Sequence, residues 1–542
     1  MTSNASPLPE ASLPTATTQP AVARQPFTLN ALRLVAAAAG LGLLAAYALV
    51  GRSLGLNVAI LAALGVVALV GLALLERVRP SWRSAWLVVP LLFFAAAVAW
   101  RANPLLQLLN LGAALGLALL VARVFTRRDG LSQGIGASLG LVASGAFEAG
   151  LLQPVDALTA AAQQSRTPGQ SARGWALVRG LLLAAPVLIV LTALLTLADL
   201  AFNQAVLDVL RALGLDDLAL LTVRGIFAAL AAWAALGLLT LALRPRSAPA
   251  AATTPQASIS GWRFLGFTEA GVVLGSVNAL FLAFGAVQAH YLFGGVANIT
   301  ALGYTYADYA RRGFGELVLV ALIVLALGLA LQATTHRAGR PAILGFRALI
   351  LLLVLQTGVL LASAFTRMQL YEEAYGFTQL RVSVQVFMIW LAVLLVLYGL
   401  MVAIDRPHLI ALGGLVSALG FIATLDVINL DGLIARENIA RDILARDLVQ
   451  SSNAIDVPRR YDGDLDYVYV LSLSDDAVPA LVALLEHPEV DVRNAAEVEL
   501  SVRYQSLAGL HDKHGWWGWN WGRQAAILAL ALHGGLDDPS RP

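Results

Sequence analysis

The sequence predicts an all-α, polytopic transmembrane helix bundle with a small, mainly helical C-terminal soluble domain. Three observations predict it. Apolar runs of bilayer length recur along most of the chain, hydrophobic residues make up 58% of it, and charged residues only 13%, against about 25% in soluble domains. A helix needs about 20 apolar residues to cross the hydrocarbon core. With no water there to satisfy the backbone, helices and closed barrels are the only spanning structures, and the lengths of these runs select helix.

The first element, residues 1–26, is rich in Ala, Pro, Ser and Thr and carries neither an apolar core nor a basic leader. It reads as a disordered tail, and insertion falls to the first span. A transmembrane domain over 27–430 follows, with eleven spans near 29–50, 54–75, 84–100, 104–122, 175–198, 220–243, 268–290, 314–332, 343–365, 382–404 and 409–428. Residues 131–152 are apolar but laced with glycines and interrupted by Gln133 and Glu148, so they read as interfacial.

Arginine carries almost all the basic charge, Lys513 being the sole lysine. With the N-terminus in the cytoplasm, arginines at the cytoplasmic ends outnumber those opposite by roughly two to one, as the positive-inside rule requires. An odd number of spans then leaves 431–542 as an extracytoplasmic C-terminal helical domain.

The first four spans are nearly free of internal polar residues. Gln107 and Asn110 are exceptions, placed to hydrogen-bond a neighbouring helix. Pro186 kinks the fifth span, which ends at Asp199 and Asn203. In the seventh, Gly271, Gly275, Asn278 and Gly285 follow helical spacing on one stripe, a helix-packing signature of small residues with one polar group.

Before the eighth span, Asp308 lies three and four residues from Arg311 and Arg312, and Arg312 four from Glu316, an alternating ladder of charge on a helix. The ninth span runs to Arg367 and the tenth starts at Arg381 and Gln385, with Glu372 and Glu373 between them; the eleventh closes with Asp426. The predicted topology brings Asp199, Asp308, Arg311, Arg312, Glu316, Arg367, Glu372, Glu373, Arg381, Gln385 and Asp426 to one membrane face. Two readings stay open: an outward-facing polar site or ion path, and ordinary interfacial charge within snorkelling reach of water.

Beyond 430 the chain turns amphipathic. LDGLIARENIARDILARDLVQ carries Leu433, Ile434, Ile443, Leu444 and Leu448 on one side, and AVPALVALLEHPEVDVRNAAEVEL reads as a helix-turn-helix pair. His511 and His514 have helical spacing but no evident third ligand, so no metal site follows. Trp516, Trp517, Trp519 and Trp521 fit an interfacial or domain contact.

YADYARRGFGEL (306–317), YEEAYGFTQLR (371–381), LIARENIAR (433–441), DDAVPAL (475–481) and WGWNWGRQ (517–524) occur in order. Together they resemble the bacterial membrane family of domain of unknown function 4173. The resemblance implies a multi-pass protein of the bacterial inner membrane with a C-terminal soluble segment, and it carries over no catalytic residue.

With no cysteine, thiolate chemistry and cysteine-held metals are excluded. No motif of a metalloprotease, serine hydrolase or phosphate-binding loop occurs, and the sequence calls for no catalytic residue and no cofactor. A net charge of +2 argues against nucleic acid. The partners expected are the lipid bilayer and, through the C-terminal domain, another envelope protein. A scaffold, sensor or assembly factor ranks first, a transporter or channel using the polar cluster second, and a membrane enzyme acting on a lipid-linked substrate third.

Overall fold

The computed structural model describes residues 28–81, 85–126, 144–164, 199, 204, 218–244, 264–293, 314–406, 409–451 and 465–533. No strand occurs among them; one parallel bridge joins Leu265 to Thr335. The helices are α1 (Ala31–Leu49), α2 (Leu56–Leu75), α3 (Val88–Trp100), α4 (Pro104–Val124), α5 (Gln153–Gln164), α6 (Leu218–Leu243), α7 (Phe267–Phe293), α8 (Phe314–Thr334), α9 (Arg340–Tyr375), α10 (Gln379–Ala403), α11 (Ile410–Ile428) and α12 (Leu430–Ser451). Beyond them come α13 (Tyr467–Leu471), α14 (Val478–Leu481), α15 (Val490–His514) and α16 (Trp521–Leu532).

Among the described residues nine helices are long and apolar enough to cross a membrane, so the chain is a multi-pass membrane protein. The expected span at 175–198 lies outside the described residues. The one at 84–100 yields only α3, 13 residues long, which at 1.5 Å per residue reaches about 20 Å and falls short of a 30 Å hydrocarbon core. Conversely, α9 continues through MQLYEEAY for 36 residues. That stretch, which lies between the expected spans 343–365 and 382–404, is a helical extension above the span, and Gly376 to Thr378 alone make the turn into α10. Gly376 has φ of +80°, a left-handed conformation suited to glycine.

Three cores hold the fold. The first packs α1 to α4 with α6 around Leu34, Phe94, Leu117 and Leu241. The second packs α7 to α10 around Leu274, Phe346, Leu353 and Tyr398. The third joins the tops of α4, α10 and α11 to α12 and the C-terminal helices through Leu106, Leu425, Ile434, Val478, Leu500 and Leu530. We call the end where these C-terminal helices sit the upper end.

The interfacial stretch is described only from residue 144. It forms a π-helical turn, Glu148–Leu152, that packs against α6 and leads into α5, which packs against α1 and α6. In α12 the buried hydrophobic residues are Leu430, Ile434, Ala435 and Ile439, while Ile443 and Leu444 are exposed. Beside these two the second half of the helix meets the C-terminal segment through charge instead, Asp442 pairing with His487 at 2.9 Å and Arg446 with Glu489 at 3.1 Å.

Candidate functional site

The residues between α3 and α4 read Arg101-Ala102-Asn103, followed by Pro104 at the first position of α4. A proline with an N-cap asparagine starts a helix well, and Asn103 Oδ1 accepts the Leu106 N–H at 3.1 Å. This corner is buried, Arg101 being 6% and Asn103 1% exposed. The last carbonyls of α3 and the first amides of α4 have no intrahelical partners, so other groups must satisfy them.

Those groups come from far along the chain. Asp476 Oδ2 accepts the N–H groups of Ala102 at 2.7 Å and Asn103 at 2.8 Å. Asn520 Nδ2 donates to the carbonyls of Val98 at 3.0 Å and Arg101 at 2.9 Å, and Gln107 Nε2 reaches the Arg101 carbonyl at 2.9 Å. Arg101 Nε donates to the Asp426 carbonyl at 2.6 Å, and Asn110 Nδ2 to Asp426 Oδ1 at 2.9 Å. Asp431 gathers three more donors: Asn103 Nδ2 at 2.8 Å, Gln379 Nε2 at 2.7 Å and the Ser474 N–H at 3.1 Å.

Asn429 makes the tight reversal between α11 and α12 in the left-handed region, φ +54°, which asparagine tolerates better than most residues. Its Nδ2 donates to the Asp476 carbonyl at 3.2 Å. The result is a buried polar junction in which α3, α4, α10, α11, α12 and the C-terminal helices share hydrogen bonds, with Asp426 Oδ2 and Asp476 Oδ1 left without a hydrogen-bond partner and with Asn429 and Asp476 also bordering an open hollow beside α12. Burial pushes the Asp476 carboxyl up to about 6, against the opposing pull of the Asn103 amide and the Arg101 charge. Burial likewise lowers Arg101 from its ordinary value, opposed by the charges of Asp476 and Asp426.

Of the expected outer-face residues, Asp426 joins this junction. A second group forms where α9 meets α10. Gln385 Nε2 donates to Glu372 Oε2, and Glu372 and Arg367 are buried. Arg381 Nη1 donates to the carbonyls of Tyr375 at 3.1 Å and Gly376 at 2.6 Å, with its guanidinium 4.2 Å from the Tyr371 ring centre. Glu373 points outward. Glu316 is exposed in the first turn of α8, and Asp199 is exposed. Asp308, Arg311 and Arg312 lie outside the described residues, as do the side chains of His511 and His514.

On α7 the seam toward α9 runs through Ala270, Leu274, Asn278 and Phe281. Asn278 Nδ2 donates to the Leu349 carbonyl of α9 at 3.2 Å. Gly271, Gly275 and Gly285 have no atom within 4 Å of where a Cβ would sit; at the first two, the buried seam residues are the ones just before, Ala270 and Leu274. Sequence reasoning missed Arg101, Asn103, Asp431, Asp476 and Asn520 as a group, although three of the quoted motifs contain or adjoin them.

Open hollows also occur among the described residues, two of them beside α10 and α12. One, of about 600 Å³ between α9 and α10, is lined by Leu361, Phe365, Met388 and Val396. The other, of about 460 Å³ between α12 and α14, is lined by Arg436, Ile439, Ile443 and Pro479. Neither gathers groups suited to bond chemistry, and no group of three His, Asp or Glu side chains converges on a metal position among the described residues.

A family model described as Domain of unknown function (DUF4153) matches residues 88–484. This is a different family from the domain of unknown function 4173 that the motifs resemble, and the match does not confirm that finer assignment. It runs from the first residue of α3 into the turn after α14, so it takes in the corner, Asp426, Asp431 and Asp476 but not Asn520. No curated protein and no solved structure matches the chain.

Proposed function

The chain belongs to the DUF4153 family of unknown function, and on that premise we propose that it is a non-enzymatic scaffold, sensor or assembly factor of the bacterial envelope. In this reading the N-terminus is cytoplasmic, and the C-terminal helices present a fixed face to another envelope protein beyond the membrane. The observation that carries it is the junction itself. Asp431, Asn103 and Asn520 spend their hydrogen bonds on backbone and side chains of the junction, and Asp476 Oδ2 holds two backbone amides of the α3–α4 corner, which suits a rigid mount better than a site that exchanges ligand. The valines Val490, Val498 and Val502 are exposed on α15 and offer an apolar face for a partner.

Transport is the second reading, favoured by Glu372, a buried carboxylate at a span's upper end whose Oε1 has no hydrogen-bond partner. Single cysteines separate the two, since the chain has none of its own. Asn110→Cys, Gln385→Cys and Val498→Cys are probed in cells with a membrane-impermeant maleimide. Labelling at 498 alone is expected for the mount; labelling at 110 and 385 as well would reveal an aqueous path and favour transport. Reaction at 498 only after permeabilisation would reverse the orientation.

A further inference from the structure

The helix α16 is apolar on two sides. Gly522, Ala526 and Leu530 are buried, whereas Trp521 is 55%, Leu528 60% and Leu532 77% exposed. Spacings of seven and four put the exposed three on one stripe. A soluble helix rarely shows water so much large apolar surface without a partner.

Its depth is fixed by neighbours. Asn520, the N-cap of α16, bonds the carbonyls of Val98 and Arg101 at the end of α3. The Trp519 carbonyl accepts the N–H of Leu56, the first residue of α2, at 2.9 Å. Residues 519 and 520 therefore sit level with the ends of two apolar helices, one of them long enough to span. Beside them, Trp516 stacks on Trp517 at 4.3 Å, and Trp517 meets Tyr47 edge-on at 5.7 Å.

Tyr47 lies in the last turn of α1, and Arg52 sits 4.3 Å over its ring. Leu43, one turn below Tyr47, is 67% exposed, as expected of a span side that faces acyl chains. The tryptophan shelf prolongs that lipid-facing side upward. Aromatic rings with a nearby arginine are the composition of the bilayer's interfacial belt.

We infer that α16 and the Gly515–Gly518 turn form an interfacial anchor that seats the C-terminal helices on the lipid bilayer at the upper end. Its occupant is the boundary between headgroups and acyl chains, met by Trp516, Trp521, Leu528 and Leu532. Such helices lie in the membrane plane with the apolar side a few ångströms into the boundary.

The test uses the full chain in vesicles of phosphatidylethanolamine and phosphatidylglycerol. Trp516→Cys, Trp521→Cys, Leu528→Cys and Leu532→Cys each carry a polarity-sensitive fluorophore, with Val498→Cys as a probe away from the anchor. The expected result is blue-shifted emission at the four positions, strongly quenched by a lipid bearing a nitroxide near the top of its acyl chain, and water-like, unquenched emission at 498. Four separate probes on exposed side chains keep the outcome independent of any one variant failing to fold. Water-like emission at 521, 528 and 532 would overturn the inference. So would a blue shift insensitive to the nitroxide lipid and accompanied by cross-linking between copies, which would make the occupant a second copy of the chain.

Discussion

The two ends of this bundle solve the same problem by different means. At the lower end, charged side chains meet in ion pairs, most of them reached by water and one, at Arg123, largely buried: Arg33 with Glu76 at 3.2 Å, Arg123 with Glu148 at 3.0 Å, Arg244 with Asp156 at 2.7 Å and Arg347 with Asp405 at 2.7 Å. At the upper end, carboxylates and amides are buried and shared, with Asp476 4% and Asp431 0% exposed. Exposed pairs contribute little because water competes for both partners, while a buried acceptor that loses its donors leaves them unsatisfied at full cost. The difference teaches that the upper end is built to fix position, whereas the lower end is built to place charge at a membrane face.

The largest expected effect breaks that contrast at its centre. Asp476→Ala strips the acceptor from two buried amides and removes one of the two carboxylates facing Arg101, so the C-terminal helices should lose about 3 to 5 kcal/mol of docking free energy. Hydrogen exchange over residues 465–533 in lipid nanodiscs would read this as faster opening of that segment. Unchanged exchange would mean that the apolar contacts of Val478, Leu481 and Leu530 hold the unit without the junction.

A second test uses pH. The Asp476 carboxyl rises from its ordinary 3.8 to about 6 through burial, so between those values the docked state keeps a proton that the undocked state releases. Its contribution is fully present below about 4 and is lost as pH climbs through about 6, a change of up to about 3 kcal/mol for two pKa units. Asp442 works in reverse. Burial raises it, but the hydrogen bonds from Arg446 and His487 outweigh burial and hold it below its ordinary value, so its stabilisation is present above that value and lost as pH falls. Asp476→Asn, which can still accept from both amides, should remove the first slope and leave the second. A docking free energy equally pH-dependent in this variant would show that Asp476 is not the group titrating.

How far this was legible in the sequence follows from the same contrast. Apolar runs announce spans because hydrocarbon length dictates them, and α1, α2, α4, α10 and α11 lie within a few residues of their expected bounds. Asn110 was readable as an interhelical donor because a lone amide inside a span has few other uses, and it reaches Asp426. Asp476 and Asn520 were not readable as partners of the α3–α4 corner, for they lie more than 370 residues away along the chain. Spacing reveals groups on one helix, and only packing reveals groups brought together from several. The α7 stripe shows the limit of spacing on one helix: its Asn278 meets α9 beside Leu274, whereas Gly271 and Gly275 have open space where a Cβ would sit.

A smaller effect sharpens the picture of the upper end. A Cβ at Gly522 would collide with Asp476 Oδ1 and lie 3.1 Å from the Ala102 Cβ. Gly522→Ala gains helix propensity of roughly 1 kcal/mol, but overpacking at so tight a contact should leave a net loss of about 1 to 3 kcal/mol. In the Asp476→Ala background the struck atom is gone, and the same substitution should become nearly neutral. Additive losses in the double variant, measured by the same exchange experiment, would place the strain at Ala102 instead.

The smallest effect is expected at the lower end and is the stricter test of the comparison. Arg347 and Asp405 meet at 2.7 Å, yet Asp405 is 72% exposed, so solvent and salt screen the pair and Arg347→Ala should change stability by no more than about 1 kcal/mol. Arg244→Ala, whose partner Asp156 is 28% exposed, should fall near the top of that range. Thermal unfolding in one detergent, with and without added salt, measures both variants. A loss above about 2 kcal/mol at Arg347 would mean that the pair is buried by something in the membrane, and the division between a fixing end and a charge-placing end would then fail. A small loss combined with a changed maleimide accessibility at Val498→Cys would instead assign these arginines their expected work, since positive charge at a span's end sets which way it crosses far more than how tightly it folds.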